Sequence, residues 1–252
     1  MNQHTLKEQP SHEKCKEKNT LKNKENQNCL LFKRVFDIIV SLLVIFFILS
    51  WLIPILAILI LIDSKGPVFF IQKRVGANGK MFKCFKLRSM WVNDQANTKQ
   101  AQANDPRITL FGNFLRKSCM DELPQFFNVL MGQMSIVGPR PHMTSDCEKF
   151  SKVIPNYDIR HMLKPGITGM AQVKGYRGET NCFYDISHRF KWDVFYIMNT
   201  SFILDLKIIH KTSVQTISAL IKSSETVSKN VYSNNSSRKN FMETYTEQLA
   251  EA

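Results

Sequence analysis

Residues 38–62 read IIVSLLVIFFILSWLIPILAILILI, and in these 25 positions only Ser41, Ser50 and Pro54 are not apolar. As one straight helix the run would be ~37 Å long, enough to cross a ~30 Å hydrocarbon core. Its flanks decide how it sits there. Lys7, Lys14, Lys16, Lys18, Lys22, Lys24, Lys33 and Arg34 precede it. Lys65, Lys73, Arg74, Lys80, Lys83, Lys86 and Arg88 follow, against one acid, Asp63. Basic flanks stay in the cytosol, and a spanning helix cannot keep both there. A helix that enters and turns back satisfies both. Pro54 supplies the break, because it lacks a backbone donor and clashes with the preceding turn. The arms 38–53 and 55–62 would be ~24 and ~12 Å long, so neither crosses alone. Ser50, four residues before Pro54, is placed to satisfy backbone groups freed at the bend. An ordinary single-pass anchor with a tolerated proline is the other reading.

Outward from this run the composition changes twice. Residues 1–29 are mostly Lys, Glu, Asn and Gln, which cannot bury enough surface to order themselves. A secretory signal does not fit, since the apolar stretch starts too late. A second polar segment, rich in Ser and Asn, occupies 222–252. Between them lies a globular text of mixed strands and amphipathic helices. The expected organisation is a polar segment 1–29, a membrane-inserted helix 30–63, a folded domain 64–221 and a tail 222–252.

The 34 Lys+Arg against 21 Asp+Glu give a charge of +13, which implies anionic company: nucleic acid, lipid headgroups or a phosphorylated substrate. The six cysteines show no C-x-x-C spacing and the six histidines no HExxH pair, which argues against a zinc ribbon and a disulfide mini-protein and fits reduced thiols in the cytosol. A strand is expected at 68–71, then a hairpin loop at Gly76 and Gly79 before 81–86. Residues 93–107 read as a mobile polar loop. Segments 192–196 and 202–221 read as helices, either core or lying in the membrane interface.

The clearest helix is predicted over 122–131. Leu123, Phe126, Phe127, Leu130 and Met131 fall on one stripe, Gly132 stops it, and Asp121 takes the N-cap. Capping alone explains an Asp-Glu pair there. Neighbouring carboxylates also point ~100° apart, so one can serve as a nucleophile kept ionised by the helix dipole while the other holds Mg2+. Basic residues in nearby motifs complete a phosphate site. Arg140 sits between two prolines and can grip a phosphate through two parallel bonds. Lys86 and Arg88 alternate along a strand and project to one face. Arg74 and Arg116 are weaker candidates. Pro165-Gly166-Ile167-Thr168-Gly169 is a turn bringing backbone close to a ligand or a neighbouring strand.

Several motifs in order resemble the bacterial sugar transferases, the monotopic polyprenyl-phosphate phosphoglycosyl transferases. They are Lys33-Arg34-Val35-Phe36-Asp37, Gly66-Pro67-Val68-Phe69-Phe70-Ile71-Gln72-Lys73-Arg74-Val75-Gly76, Lys86-Leu87-Arg88-Ser89-Met90, Ser118-Cys119-Met120-Asp121-Glu122-Leu123-Pro124-Gln125, Gly138-Pro139-Arg140-Pro141 and Lys164-Pro165-Gly166-Ile167-Thr168-Gly169. The likeness covers about three quarters of the chain. It implies a mixed α/β (α+β) domain facing the cytosol, hung from the bacterial inner membrane on a re-entrant helix, with interfacial amphipathic helices.

The implied activity is transfer of a sugar phosphate from a UDP-sugar to polyprenyl (undecaprenyl) phosphate with release of UMP, through a covalent intermediate on aspartate, as the first membrane step of surface glycan synthesis such as exopolysaccharide or lipopolysaccharide. Asp121 would be the nucleophile and Glu122 its magnesium-associated partner, with Asp121 also near the metal. Lys86, Arg88, Arg116 and Arg140 would contact phosphate. The partners implied are the donor, the acceptor and membrane lipid, with no nucleic acid. Where family members commonly carry Ser-Pro in the re-entrant helix, this chain has Ser50-Trp51 and then Pro54. With nothing like an additional bundle of spans before Lys33, the sequence resembles the family's minimal form. The alternative is a catalytically inactive, basic, membrane-attached binding or scaffold module.

Overall fold

The apolar run lies within one helix, α1 (Leu30–Asp63), long and apolar enough to cross a membrane. The computed structural model describes residues 30–102, 105–178 and 183–221; the tails expected at 1–29 and 222–252 lie outside them. Within α1, residues Ile45–Leu49 widen into a π-turn, so Ser50 N–H donates to the Ile45 carbonyl. Such a turn leaves carbonyls without their usual donors. Ser50 Oγ donates to the Phe46 carbonyl (2.5 Å) and Trp51 Nε1 to that of Phe47 (2.8 Å). Pro54 follows inside the same helix. The disturbance expected at Pro54 thus begins upstream of it, and Trp51 shares with Ser50 the work of satisfying it.

A hairpin follows, formed by β1 (Phe69–Val75) and β2 (Met81–Leu87), antiparallel from Phe69 opposite Leu87 to Val75 opposite Met81. Asn78 and Gly79 take positive φ in its loop, where a side chain other than Asn or Gly is strained. Helix α2 (Leu110–Lys117) is capped by Thr109, whose side chain accepts from Gly112 N–H. Next come α3 (Gln125–Leu130), β3 (Ser135–Val137), α4 (Thr144–Val153), β4 (Gly166–Thr168), α5 (Met170–Val173), α6 (Phe183–Met198) and α7 (202–221). Strands β3 and β4 pair in parallel. The main core unites Phe82, Val129, Met134, Val137, Tyr196 and Ile208, with Phe36 and Val40 of α1 packed on it. Leu56 and Ile60 of α1 join Leu87 and Leu115 in a second cluster.

Two expectations are corrected. The first is the helix over 122–131. Cys119 stands in the left-handed region (φ 60°) and turns the chain; Met120–Glu122 form a 3-10 turn, and α3 begins only at Gln125, after Pro124. Asp121 therefore caps nothing. The predicted stripe is only half-buried: Phe126 packs on the main core but Met131 is exposed, while Gln125, Asn128 and Val129 are the buried residues of α3. Asn128 is the reason. Its Oδ1 accepts from Phe85 N–H, and its Nδ2 donates to the Lys83 carbonyl, docking α3 on β2. The second concerns the loop 93–107, which contains a 3-10 turn at Asp94–Asn97 and an anchor at Asp105, whose carboxylate receives Arg107 Nη2 at 2.6 Å. Close hydrogen bonding by Arg107 holds that carboxyl well below the ordinary range.

The turn at residues 165–169 meets a strand. Gly138 N–H donates to the Thr168 carbonyl and Gly166 N–H to that of Pro139. A Cβ at Gly166 would lie 2.1 Å from Gly138 N, so only glycine allows the approach.

Candidate active site

Asp121 and Glu122 line a cavity of about 420 Å³, within the size range of small-molecule sites. Strand β2 brings Lys86, α2 brings Arg116, the Pro-Arg-Pro loop brings Arg140 and α6 brings Arg189; Arg74, Arg88, Lys99 and Arg177 also line it. Residues around Asn93, Ala96 and Lys99 form another wall, beside Phe69, Trp91 and Val92.

The two carboxylates are neighbours in sequence and opposites in environment. Glu122, 6 % exposed, accepts from Lys86 Nζ (2.9 Å) and from both Arg140 Nη atoms (3.1 and 2.5 Å), with Arg177 Nη2 at 3.6 Å. Burial works against its ionisation, but Arg140 and Lys86 outweigh it and hold the carboxyl well below its usual range. The same pairing, against burial, raises the Arg140 guanidinium above its ordinary value. Asp121 is 7 % exposed, and among the described residues no donor bonds to it. Burial first, and then the charge of Glu122, push its pKa up to about 6, against the pull of Lys86, Arg116 and Arg140. A carboxylate with a raised pKa, facing a cavity and shielded by cations it does not touch, has the character of a reactive group.

Of the residues singled out in the sequence, Lys86 and Arg140 reach Glu122 directly and Arg116 lines the cavity. Arg88 lines it too, while its Nη2 donates to the Ser64 carbonyl (2.6 Å) at the C-terminal end of α1. A cation there satisfies an end carbonyl and suits the helix dipole. Arg74 donates to the Pro141 carbonyl and so braces the loop carrying Arg140.

Sequence reasoning missed Arg177, Arg189, His142 and the pair Arg160–Asp193. One signal was available: Arg189, Asp193 and Tyr196 recur at i, i+4 and i+7 on α6, and all three are buried. Charges on the inward stripe of a helix need partners inside. Arg189 donates to the Gly178 carbonyl; burial and then the charges of Arg140 and Arg160 lower its pKa to about 10. His142 is buried against Arg160 and Arg189, and burial followed by these charges keeps it neutral.

Comparison with known proteins places this arrangement. The bacterial sugar transferase family matches residues 28–219. The UDP-glucose:undecaprenyl-phosphate glucose-1-phosphate transferase of Klebsiella pneumoniae is 49 % identical over 184 residues, covering 73 % of this chain and 39 % of that protein. Its namesake from Escherichia coli (strain K12) is 47 % identical over 184 residues, with 72 % and 39 % covered. The exopolysaccharide production protein PSS of Rhizobium leguminosarum bv. phaseoli is 42 % identical over 190 residues, with 73 % and 94 % covered. The chain thus matches about two fifths of the length of the first two relatives and nearly all of the third. With the match running from the start of α1 through most of α7, and the acidic pair set among arginines inside it, the chain belongs to the bacterial sugar transferase family.

Proposed function

We propose that the protein is a membrane-associated phosphoglycosyl transferase that moves a sugar phosphate from a UDP-sugar to polyprenyl phosphate and releases UMP. One observation carries the reading: in a cavity lined by cations, one carboxylate is clamped by three of them and its neighbour is bonded by none among the described residues. Glu122 neutralises and orients the cations. Asp121 is left free to attack.

In the first displacement an Asp121 oxygen bonds to the sugar-bearing phosphorus, the bridging P–O bond breaks, and UMP leaves with the electron pair. In the second, an oxygen of polyprenyl phosphate attacks the same phosphorus and the Asp121 carboxylate is expelled. Splitting the transfer lets one site serve two anionic substrates in turn. Arg140, Lys86, Arg116 and Arg189 offset the phosphate charges throughout. Mg2+, which takes few protein oxygens, would be held here by Asp121, whose oxygens carry no donor among the described residues; both Glu122 oxygens already carry Lys86 or Arg140, so the rest of the ion's shell would come from substrate phosphate and water. When bound, the ion neutralises phosphate oxygens.

The reading also has α1 enter and leave the membrane on the cytosolic side of the bacterial inner membrane. Lys33 at its start pairs with Asp205 of α7, and Arg34 donates to the Val129 and Leu130 carbonyls. At its end Leu56 and Ile60 pack on Leu87 and Leu115, and Asp63 accepts from Phe111 N–H. A straight helix of 34 residues would be ~51 Å long, whereas a domain of this size is about 40 Å across. Attachment of both ends to one domain, with Phe46 and Phe47 exposed between them, supports a helix that folds back.

Purified protein given Mg2+, polyprenyl phosphate and a panel of UDP-sugars should release UMP. With donor labelled in the sugar-bearing phosphate, the wild-type polypeptide should carry acid-stable, hydroxylamine-labile label and Asp121→Asn none. UMP release with no labelled polypeptide under any quench would exclude the covalent route. Cysteines placed at 32 and 65 should both be shielded from impermeant reagents in intact cells; labelling of one alone would mean a true span.

A further inference from the structure

Arg160 lies behind the cavity, at the 3-10 turn Tyr157–His161, and is 3 % exposed. It bonds to neither Asp121 nor Glu122, yet two of its four hydrogen bonds go to the loop that carries Arg140. Nη2 donates to the Arg140 carbonyl (2.7 Å) and to Asp193 Oδ2 on α6 (2.8 Å). Nη1 donates to Nδ1 of His142 (2.5 Å) and to the Tyr157 hydroxyl (2.9 Å).

The neighbouring residues of the loop are held as well. Arg74 Nη1 reaches the Pro141 carbonyl at 3.0 Å, Gly138 N–H the Thr168 carbonyl at 2.9 Å, and Gly166 N–H the Pro139 carbonyl at 3.0 Å. Pro139 and Pro141 have fixed φ. The orientation of the peptide between Arg140 and Pro141 is then set by what its carbonyl accepts, and that is Arg160. A planar fork can serve two acceptors on the loop and one on α6 at once; an ammonium on a flexible stem cannot hold all three in one geometry. A buried ion pair adds little net stability over a well-packed apolar pair. Stability alone does not account for a charge placed there.

We propose that Arg160, braced by Asp193, is a positioning residue that sets the Arg140 guanidinium against Glu122 and thereby the charge balance beside Asp121. This rests on the reading of Asp121 and Glu122 as the reaction centre. If Arg160 acts through Arg140, its loss matters only while Arg140 is correctly seated.

The test combines a double-mutant cycle with a readout that needs no substrate. Arg160→Gln and Arg160→Lys are each made in wild type and in Arg140→Lys, and kcat/KM for UMP release is measured. Hydrogen exchange of the peptide containing residues 138–143 is followed in the substrate-free protein. Arg160→Gln should lower kcat/KM at least about tenfold in wild type but less than about threefold in Arg140→Lys. Exchange should quicken in 138–143 while α3, which Arg160 does not bond, keeps its protection. Arg160→Lys, which retains the charge beside Asp193, should fall between, and carries the same cycle if Arg160→Gln does not fold. Equal losses in the two backgrounds would overturn the proposal, as would unchanged exchange in 138–143. If wild type releases no UMP, the transferase reading fails, and the exchange measurement still decides this one.

Discussion

On its two sides the Pro-Arg-Pro loop meets buried charge of two kinds. Behind it, Asp193 is engaged by Arg160 at 2.8 Å, and Arg160 spends its remaining bonds on Tyr157, His142 and the Arg140 carbonyl. In front of it, Glu122 is surrounded by cations while Asp121, equally buried, has none in contact among the described residues. Both regions carry the desolvation cost of buried charge, but only the first satisfies all its carboxylates. A buried charge with a partner is inert and structural. One without a partner raises the energy of the folded state and is available for chemistry.

This contrast is open to direct attack, and the sharpest blow is substitution of the two aspartates. Asp121→Asn should abolish UMP release, a loss of at least about 10³-fold. Asp193→Ala leaves Arg160 buried without its carboxylate and should destabilise the protein by about 3–5 kcal/mol. The two changes should move the melting temperature in opposite directions, since Asp121→Asn removes a charge the fold does not stabilise. That gain should be roughly 1–3 kcal/mol at neutral pH. Melting both variants in the same detergent checks this, and a lower melting temperature for Asp121→Asn would contradict the contrast.

Acid sharpens it further. With the Asp121 pKa at about 6, kcat/KM should fall on the acid side of that value, approaching tenfold per pH unit. Stability should move the other way. The folded state binds this proton more tightly than the unfolded chain, so the Asp121 contribution becomes more favourable as pH drops from about 6 toward 4. A pH–rate profile with no acid limb between 5 and 7 would remove the raised pKa from the account. Lys86→Met should shift that limb upward by a fraction of a unit, because Lys86 favours the charged form of Asp121.

The smallest effect belongs to α1, where disruption of the backbone is compensated locally. Ser50→Ala removes the hydroxyl bonded to the Phe46 carbonyl and should cost about 1 kcal/mol, with Trp51→Phe similar. Melting of the reconstituted protein would register each, and UMP release should change little.

Much of the site could be read in one dimension because its residues travel in short, stiff motifs. Pro139-Arg140-Pro141 holds its arginine on backbone of little freedom, Asp121-Glu122 lies in a short 3-10 turn, and Arg140 does meet Glu122. The helix predicted over 122–131 went astray because apolar spacing carried more weight than the turn at Cys119 and the docking role of Asn128. A buried asparagine bonded across to another strand looks in sequence like any polar residue on a solvated face.

Local sequence therefore determined the long apolar helix, the hairpin and the placing of the acidic pair among basic motifs. Those depend on hydropathy, on turn residues and on neighbours within a few positions. Only the tertiary structure decided which carboxylate is clamped and which is free, and which arginine holds the Arg140 loop. These depend on distances between groups far apart in the chain, such as Lys86 and Glu122, Arg177 and Glu122, or Arg140 and Arg160. Electrostatic interaction follows separation in space and local burial, and neither is a property of spacing along the chain.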